Sequence, residues 1–165
     1  MPNTPESLEH LKKTLQLYED LMDKAGIAKS CYDIGNMLTN LDKLEESLGY
    51  LEKALILQEE LDDKVGMSKT CAIMGKVLAL MGKLDESLTY LRRSLKIRMN
   101  VNDVTGMITN YLSIAKVLGL QGKREEVLKS IYDGQNLLKQ IESETGYRHP
   151  LTYDFAIMLE KFSES

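Results

Sequence analysis

The sequence has few prolines, histidines and cysteines, and it contains no long apolar run. Three prolines and 11 glycines among 165 residues leave little room for disordered linkers. We therefore expect a single domain over residues 1–165. The longest apolar segments, such as residues 77–81, fall far short of the roughly 18 residues of a membrane-spanning helix.

Basic residues show no excess either. The formal net charge is −4 at pH 7, whereas a nucleic-acid-binding protein presents a basic stripe. Residues 1–13 lack the succession of basic, apolar and small residues that marks a secretory signal. We expect a cytoplasmic protein that binds neither nucleic acid nor a membrane.

Sequence patterns for catalysis and metal binding are also missing. Neither of the two histidines, His10 and His149, pairs in sequence with a cysteine or serine nucleophile. No H-E-x-x-H, C-x-x-C or glycine-rich phosphate loop occurs. Paired acids such as Glu45 and Glu46 fall on the surfaces and ends of expected helices. The sequence predicts no enzyme activity, no metal and no cofactor.

The two cysteines, Cys31 and Cys71, occupy equivalent positions 40 residues apart. Both fall on the apolar face of an expected helix, so we predict buried, reduced thiols that act as small hydrophobic residues. A disulfide would need Cα atoms within about 7 Å, which is closer than neighbouring stacked helices usually lie.

An internal repeat of 40 residues organises the chain. Residues 69–95 match residues 29–55 closely and residues 109–135 more loosely. A fixed period of about 20–50 residues is typical of stacked-repeat proteins. The repeats cover approximately residues 27–66, 67–106 and 107–146, with half-repeats at 5–26 and 147–165.

Within each repeat, apolar residues recur at helical spacing, and no segment alternates with period 2 over the length of a strand. Shorter helices are expected near residues 27–40, 67–80, 107–120 and 149–162, and longer ones near 5–23, 43–62, 83–101 and 123–142. The predicted fold is all-α, with about eight antiparallel helices in stacked hairpins.

Several helix ends carry recognisable signals. Thr4 is an expected N-cap, and Asp42 with Glu45 has the spacing of a capping box. Glycine recurs at one slot of the repeat, where a left-handed residue would end the longer helix. These glycines are Gly26, Gly66, Gly106 and Gly146.

A specific motif accompanies the repeat. The second repeat contains Cys71-x2-Met74-Gly75-x2-Leu78, followed by Ser87-x3-Leu91, and the first contains Cys31-x2-Ile34-Gly35-x2-Leu38, followed by Ser47-x3-Leu51. The pattern resembles the tetratricopeptide repeat (TPR), whose signature is W-x2-L-G-x2-Y…A-x3-F. The resemblance covers nearly the whole chain and implies a right-handed α-solenoid. In such a hairpin the glycine lets two helices approach closely, and the serine is its small partner.

Two departures from the family pattern are visible. Cysteine occupies the aromatic slot, and the closing proline is replaced by Glu59, Met99 and Lys139. Without that proline the helix can continue, which accounts for a unit longer than the usual length of about 34 residues. Extended repeats of this kind are similar to those of Pins-type polarity adaptors, kinesin light chains and bacterial peptide-sensing regulators. HEAT and armadillo repeats have a comparable length, but the Gly–Ser pairing and the lack of a kinking proline favour TPR.

The resemblance also implies a binding site. In the TPR family, one face of the first helix of each repeat lines a concave groove that takes peptides or partner helices. That face lies about 100° around the helix from the hairpin contact. The corresponding residues are Lys29, Tyr32, Asn36, Asn40, Lys69, Lys76, Leu80, Leu112, Lys116 and Leu120. Their mixture of basic and apolar side chains suits an amphipathic or extended peptide with acidic residues.

The predicted function is therefore a protein–protein interaction scaffold or adaptor. Two alternatives remain open, namely a peptide-sensing regulatory module and a structural or oligomerisation segment of a larger TPR protein. The latter would form a homodimer through the apolar residues of the last helix, which are Leu151, Phe155, Met158, Leu159 and Phe162.

Overall fold

The computed structural model describes residues 4–163, which form eight α-helices and no strand. The helices are α1 (Pro5–Asp20), α2 (Lys24–Asn40), α3 (Leu44–Glu60), α4 (Lys64–Leu80), α5 (Leu84–Asn100), α6 (Val104–Leu120), α7 (Arg124–Thr145) and α8 (Leu151–Ser163). Consecutive helices pack against each other along the whole chain. The predicted all-α solenoid of stacked hairpins is confirmed.

The predicted alternation of short and long helices is wrong. Helices α2 to α6 each contain 17 residues, and turns of three residues join them. The first helix of each repeat begins earlier than expected because an aspartate caps it. For example, the Asp63 carboxylate accepts a hydrogen bond of 2.8 Å from the backbone N–H of Gly66. Asp23 and Asp103 cap α2 and α6 in the same way.

The recurrent glycines consequently have another role than the predicted one. Only Gly146 ends a helix in the left-handed conformation, with φ of 69°. Gly26, Gly66 and Gly106 lie in the first turn of the following helix. A Cβ atom on Gly26 would come within 2.2 Å of the Tyr18 ring. Glycine at this slot therefore allows a side chain of the preceding helix to pack against the backbone.

The left-handed residue instead sits in the middle of every three-residue turn. These residues are Met22, Asp42, Asp62, Gly82, Asn102 and Gly122, with φ between 53° and 77°. The capping box expected at Asp42 is absent, since Lys43 is the N-cap of α3 and no side chain caps that end. The same left-handed step thus follows each helix from α1 to α6, and it gives these turns a similar shape.

The predicted contact between glycine and serine is confirmed in the hairpins of the first two repeats. The Ser47 hydroxyl donates to the Gly35 carbonyl at 2.8 Å, and the Ser87 hydroxyl donates to the Gly75 carbonyl at 2.7 Å. A Cβ atom on Gly75 would lie 2.6 Å from Cγ of Leu91. The space that the missing side chain leaves is therefore filled by the partner helix.

The arrangement of the hairpins distinguishes an inner from an outer layer. Helix α2 contacts α4, α4 contacts α6, and α6 contacts α8, whereas no two odd-numbered helices come equally close within residues 4–163. The even-numbered helices therefore form the inner layer of a curved stack. Long side chains bridge the odd-numbered helices instead, with Lys53 Nζ 2.6 Å from Glu19 Oε1 and an equivalent ion pair between Arg93 and Glu59.

Helix α8 closes the stack and uses its apolar face to do so. Phe155 is fully buried, and its ring occupies the space beside Gly134, where a Cβ atom would come within 2.3 Å. Phe162 covers Gly119 in the same manner. The residues expected to form a dimer are thus half-buried or buried within the chain, while Tyr153 and Ile157 are exposed at 63% and 65%.

Substituting Gly75→Leu tests the hairpin contact. We expect this change to lower the free energy of unfolding by about 1–3 kcal/mol, because the added side chain must displace Leu91. Gly49→Leu is the matched control, since a Cβ atom there meets nothing within 4 Å and helix propensity improves by less than about 1 kcal/mol. Denaturant titration measures both, and a Gly75→Leu variant as stable as the parent would contradict the contact.

Candidate functional site

The structure places nine of the ten predicted groove residues at least partly in solvent on α2, α4 and α6. Leu112 is the exception, since it is only 5% exposed and belongs to the core with Ile108 and Leu118. Leu112 occupies the repeat position that Tyr32 occupies on α2, and this position faces a neighbouring helix. Tyr32 accordingly packs against the cores of the first two hairpins. The prediction that Leu112 lines the groove is therefore wrong.

Equivalent residues of the inner helices form two adjacent rows. Lys76 and Lys116 constitute the lysine row, and both are exposed. Leu80 and Leu120, one helical turn further on, constitute the leucine row and are exposed at 56% and 69%. Because the same turn geometry recurs along the chain, equivalent positions on stacked helices lie side by side. Since α4 and α6 are in contact, we expect the two rows to form one basic and apolar patch across them.

Both layers have charged side chains in ion pairs, but the four predicted groove lysines form none. Ion pairs engage Lys53, Arg92 and Arg93 on the odd-numbered helices. On the inner layer, by contrast, no residue of the described chain lies within ion-pair distance of the predicted lysines. These are Lys29, Lys69, Lys76 and Lys116. These four lysines therefore remain available to a ligand, as do Lys96 and Lys139 on the odd-numbered helices.

A pocket of about 560 Å³ opens between α2 and α4. It brings together Lys29, Tyr32 and Lys69 from the predicted set. Its walls also include Leu61 and Val65, which the sequence interpretation missed. Leu61 and Val65 lie in or beside the turn after α3, so they fall outside the stripe that helical periodicity selects. What distinguishes them in the structure is their exposure of 44% and 51%, which is high for apolar side chains.

Two acidic groups, Asp33 and Asp63, line this pocket. Asp33 is half-buried, and the loss of solvent raises the pKa of its carboxyl, while the Lys29 ammonium one turn earlier acts in the opposite direction. The Tyr32 hydroxyl has a raised pKa for the same main reason, which is burial. The α2 end of the inner face is therefore less basic than the α4 and α6 part.

Buried polar side chains at the junctions between hairpins are paired with each other. The Thr70 hydroxyl donates to Gln58 Oε1 at 2.8 Å, and Arg98 Nη1 lies 3.0 Å from Asn110 Oδ1. Burial lowers the pKa of the Arg98 guanidinium. The Asp103 carboxylate, whose Oδ2 lies 3.6 Å from Arg98 Nε, acts in the opposite direction. These groups hold neighbouring hairpins together and are not directed at a ligand.

The cysteines lie below the outer ion pairs, as buried as predicted. Cys31 and Cys71 have no exposed surface and form no disulfide. Desolvation is the main cause that raises both thiol pKa values, and that of Cys71 reaches about 11. A protonated, inaccessible thiol is a poor nucleophile and a poor metal ligand.

Residues 4–163 lack two kinds of feature. No helix there has both the length and the apolar character to cross a membrane. No three or more His, Cys, Asp or Glu side chains gather where they could hold a metal ion.

Comparison with known families identifies the repeat. The sequence profile of the tetratricopeptide repeat matches residues 27–98. The resemblance that the Gly–Ser motif indicates is thereby confirmed for the first two repeats. Comparison with curated protein sequences gives no match.

Solved structures share the fold at low sequence identity. BtubC (BKLC) from P. vanneervenii superposes with a TM-score of 0.76 at 17% identity, covering 87% of this chain and 58% of that one. A kinesin-light-chain-like protein of Podosopora anserina with nearly identical TPR-like repeats gives 0.76 at 12% identity, covering 96% and 77%. Aspartyl phosphate phosphatase F from Bacillus subtilis gives 0.67 at 14%, covering 95% and 45%. This chain thus spans little more than half of BtubC and under half of the phosphatase, and the likeness concerns the fold alone.

The thiol environment leads to a simple chemical prediction. With a pKa of about 11, roughly one Cys71 side chain in 1,000 is a thiolate near pH 8, and the fold hides that fraction. Iodoacetamide should therefore leave both cysteines unmodified in the folded protein and alkylate both in denaturant, as measured by intact-mass spectrometry. Rapid modification of folded protein would contradict the burial of these residues.

Proposed function

Residues 27–98 of this chain belong to the tetratricopeptide repeat family, and on that premise we propose that the protein binds an acidic segment of a partner protein on its inner face. The observation that carries the proposal is the patch of the lysine and leucine rows. Its cations have no ion-pair partner within the described chain, and its leucines are exposed.

Both components of the patch favour binding. Carboxylates of a partner would pair with ammonium groups that have no competing ion pair, so no existing interaction has to be broken. The exposed leucines would lose their contact with water, which contributes free energy in proportion to the apolar area buried. The lysines also attract an acidic chain over a distance of about one Debye length, roughly 8–10 Å.

The proposed role is a non-catalytic scaffold or adaptor in the cytoplasm. Binding on a preformed face requires no reactive group, and the buried reduced thiols suit a reducing compartment. A peptide-sensing regulator would use the same face, with the difference that its ligand would alter a second interaction.

The double substitution Lys76→Glu and Lys116→Glu tests the proposal. The probe is a fluorescein-labelled synthetic peptide rich in glutamate and leucine, and fluorescence anisotropy measures its dissociation constant at low and physiological ionic strength. We expect the variant to bind about tenfold more weakly, because two attractive charge pairs become repulsive. Its affinity should also depend less on salt.

The double substitution Lys96→Glu and Lys139→Glu is the matched control. Both lysines are exposed on odd-numbered helices, so the control changes the net charge equally without touching the inner face. If both double variants lose the same affinity, or if neither loses any, the inner face is not the binding site.

A homodimer through α8 is the second candidate. It would depend on the exposed Tyr153 and Ile157, since the residues expected to form it pack within the chain. We would then expect Ile157→Asp to halve the mass that light scattering measures. A parent protein that is monomeric at high concentration would reject this candidate.

A further inference from the structure

We propose that the pocket between α2 and α4 binds an uncharged small molecule that has an apolar body and one carbonyl group. This inference goes beyond the proposed function, because the pocket lies near the turn after α3 and includes neither the lysine row nor the leucine row. Its walls are mainly apolar, its charges cancel, and one buried amide donor lines it without an acceptor. Each of these three observations limits the chemistry of the ligand.

The walls of the pocket provide an apolar surface. Its volume of about 560 Å³ falls within the range of roughly 300–1,000 Å³ that is typical of sites for small molecules. Ala25 and Ala28 line it from α2, Leu61 and Val65 line it from beside and within the start of α4, and Tyr32 adds an aromatic ring. Since Leu61 and Val65 are exposed, a ligand that covers them gains free energy in proportion to the apolar area removed from water. The pocket therefore favours an apolar body.

Gln58 supplies the polar contact. It is only 3% exposed and lies in the wall of the pocket. Its Oε1 accepts a hydrogen bond of 2.8 Å from the Thr70 hydroxyl, whereas its Nε2 donates to no acceptor in the described chain. Nε2 lies at the pocket, since a Cβ atom on Gly66, another lining residue, would stand 2.9 Å from it. A donor in a buried side chain costs free energy when it has no acceptor, and a ligand carbonyl would remove that cost.

The next repeat uses the equivalent side chain differently. Arg98 stands 40 residues after Gln58, and its Nη1 donates to the Gly106 carbonyl and, at 3.0 Å, to Asn110 Oδ1. Gln58 bonds only with Thr70, the residue equivalent to Asn110. The junction of α3 and α4 thus keeps an unused donor that the repeat pattern alone does not require.

The charged residues of the pocket favour an uncharged ligand. They are Lys29, Asp33, Asp63 and Lys69, so their formal charges cancel. Asp63 Oδ1 is already engaged by the backbone N–H of Gly66 at 2.8 Å. Burial raises the pKa of the Asp33 carboxyl, which indicates that water is partly excluded beside it. An ion that leaves water for such surroundings loses hydration without gaining a net opposite charge, whereas an uncharged carbonyl compound avoids this cost.

Three compounds with the same alkyl chain length test the inference, namely octanamide, octanoate and octylammonium. Isothermal titration calorimetry measures their dissociation constants at low and at physiological ionic strength. We expect octanamide to bind about tenfold more tightly than either ion, with an affinity that does not depend on salt, because no charge pair is formed. Hexanamide should bind about fifteenfold more weakly than octanamide, since each buried CH₂ group contributes about fourfold in affinity.

Three substitutions locate the site. Ala25→Phe fills the pocket from an exposed position at its rim, so it should lower the affinity for octanamide about tenfold without disturbing the core. Thr105→Phe is the matched control, because Thr105 is exposed at the equivalent position of α6, outside the pocket. Gln58→Glu replaces the Nε2 donor with an acceptor and keeps an oxygen for Thr70, so it should also weaken octanamide binding about tenfold. Circular dichroism verifies that each variant is folded.

Other outcomes would overturn the inference. If octanoate binds as tightly as octanamide, the ligand is not an uncharged molecule. If Ala25→Phe and Thr105→Phe have the same effect, or if the parent protein binds no octanamide, the pocket is not the site. Unchanged affinity in Gln58→Glu would reject the role of its amide.

The double variant of the lysine row keeps this inference separate from the proposed function. With Lys76→Glu and Lys116→Glu, octanamide should bind as it does to the parent, because neither lysine lines the pocket. A loss of octanamide binding in that variant would assign the ligand to the lysine row and overturn the pocket. Loss of the acidic peptide alone would leave the pocket in place.

Discussion

The close approach of two helices at a missing side chain is the contact on which the rest of this structure depends. Gly75 lets the α5 backbone come near enough for the Ser87 hydroxyl to reach its carbonyl at 2.7 Å, and Leu91 fills the remaining space. Gly35 and Ser47 make the same contact one repeat earlier. Since both hairpins share this contact, they stack in the same way, and equivalent residues of the even-numbered helices line up.

This alignment turns a sequence period into a surface. The outer layer uses its charges between helices, as in the pair of Lys53 with Glu19, and exposed pairs of this kind contribute little stability. Lys53, Arg92 and Arg93 of the outer layer thus have anionic partners, whereas Lys96 and Lys139 of the same layer have none in the described chain. Lys76 and Lys116 have none in the described chain, and Leu80 and Leu120 lie beside them. On the inner face, unpaired lysines thus lie one helical turn from exposed leucines.

Glycine illustrates where sequence interpretation succeeds and where it does not. At Gly35 and Gly75 the repeated partners Ser47 and Ser87 predicted a packing contact, which is confirmed. The glycine that recurs before each first helix was predicted to end the longer helix. Gly146 does so, but Gly26, Gly66 and Gly106 lie in the first turn of the next helix. A glycine between two helical patterns is compatible with the end of the first helix and with the start of the second. Only the position of the aspartate cap and of the preceding helix decides between them.

The sequence by itself determined the helical period, the number of helices, the hairpin contact and the stripe that carries the inner lysines, because these depend on residue type and spacing along one chain. The tertiary structure decided which members of that stripe reach solvent. Leu112 is buried because a neighbouring helix covers its slot, whereas Leu61 and Val65 join a pocket although they lie near a turn. The exposure of a residue at the edge of a helical face depends on the rotation and distance of the next helix, and a one-dimensional pattern does not contain either quantity.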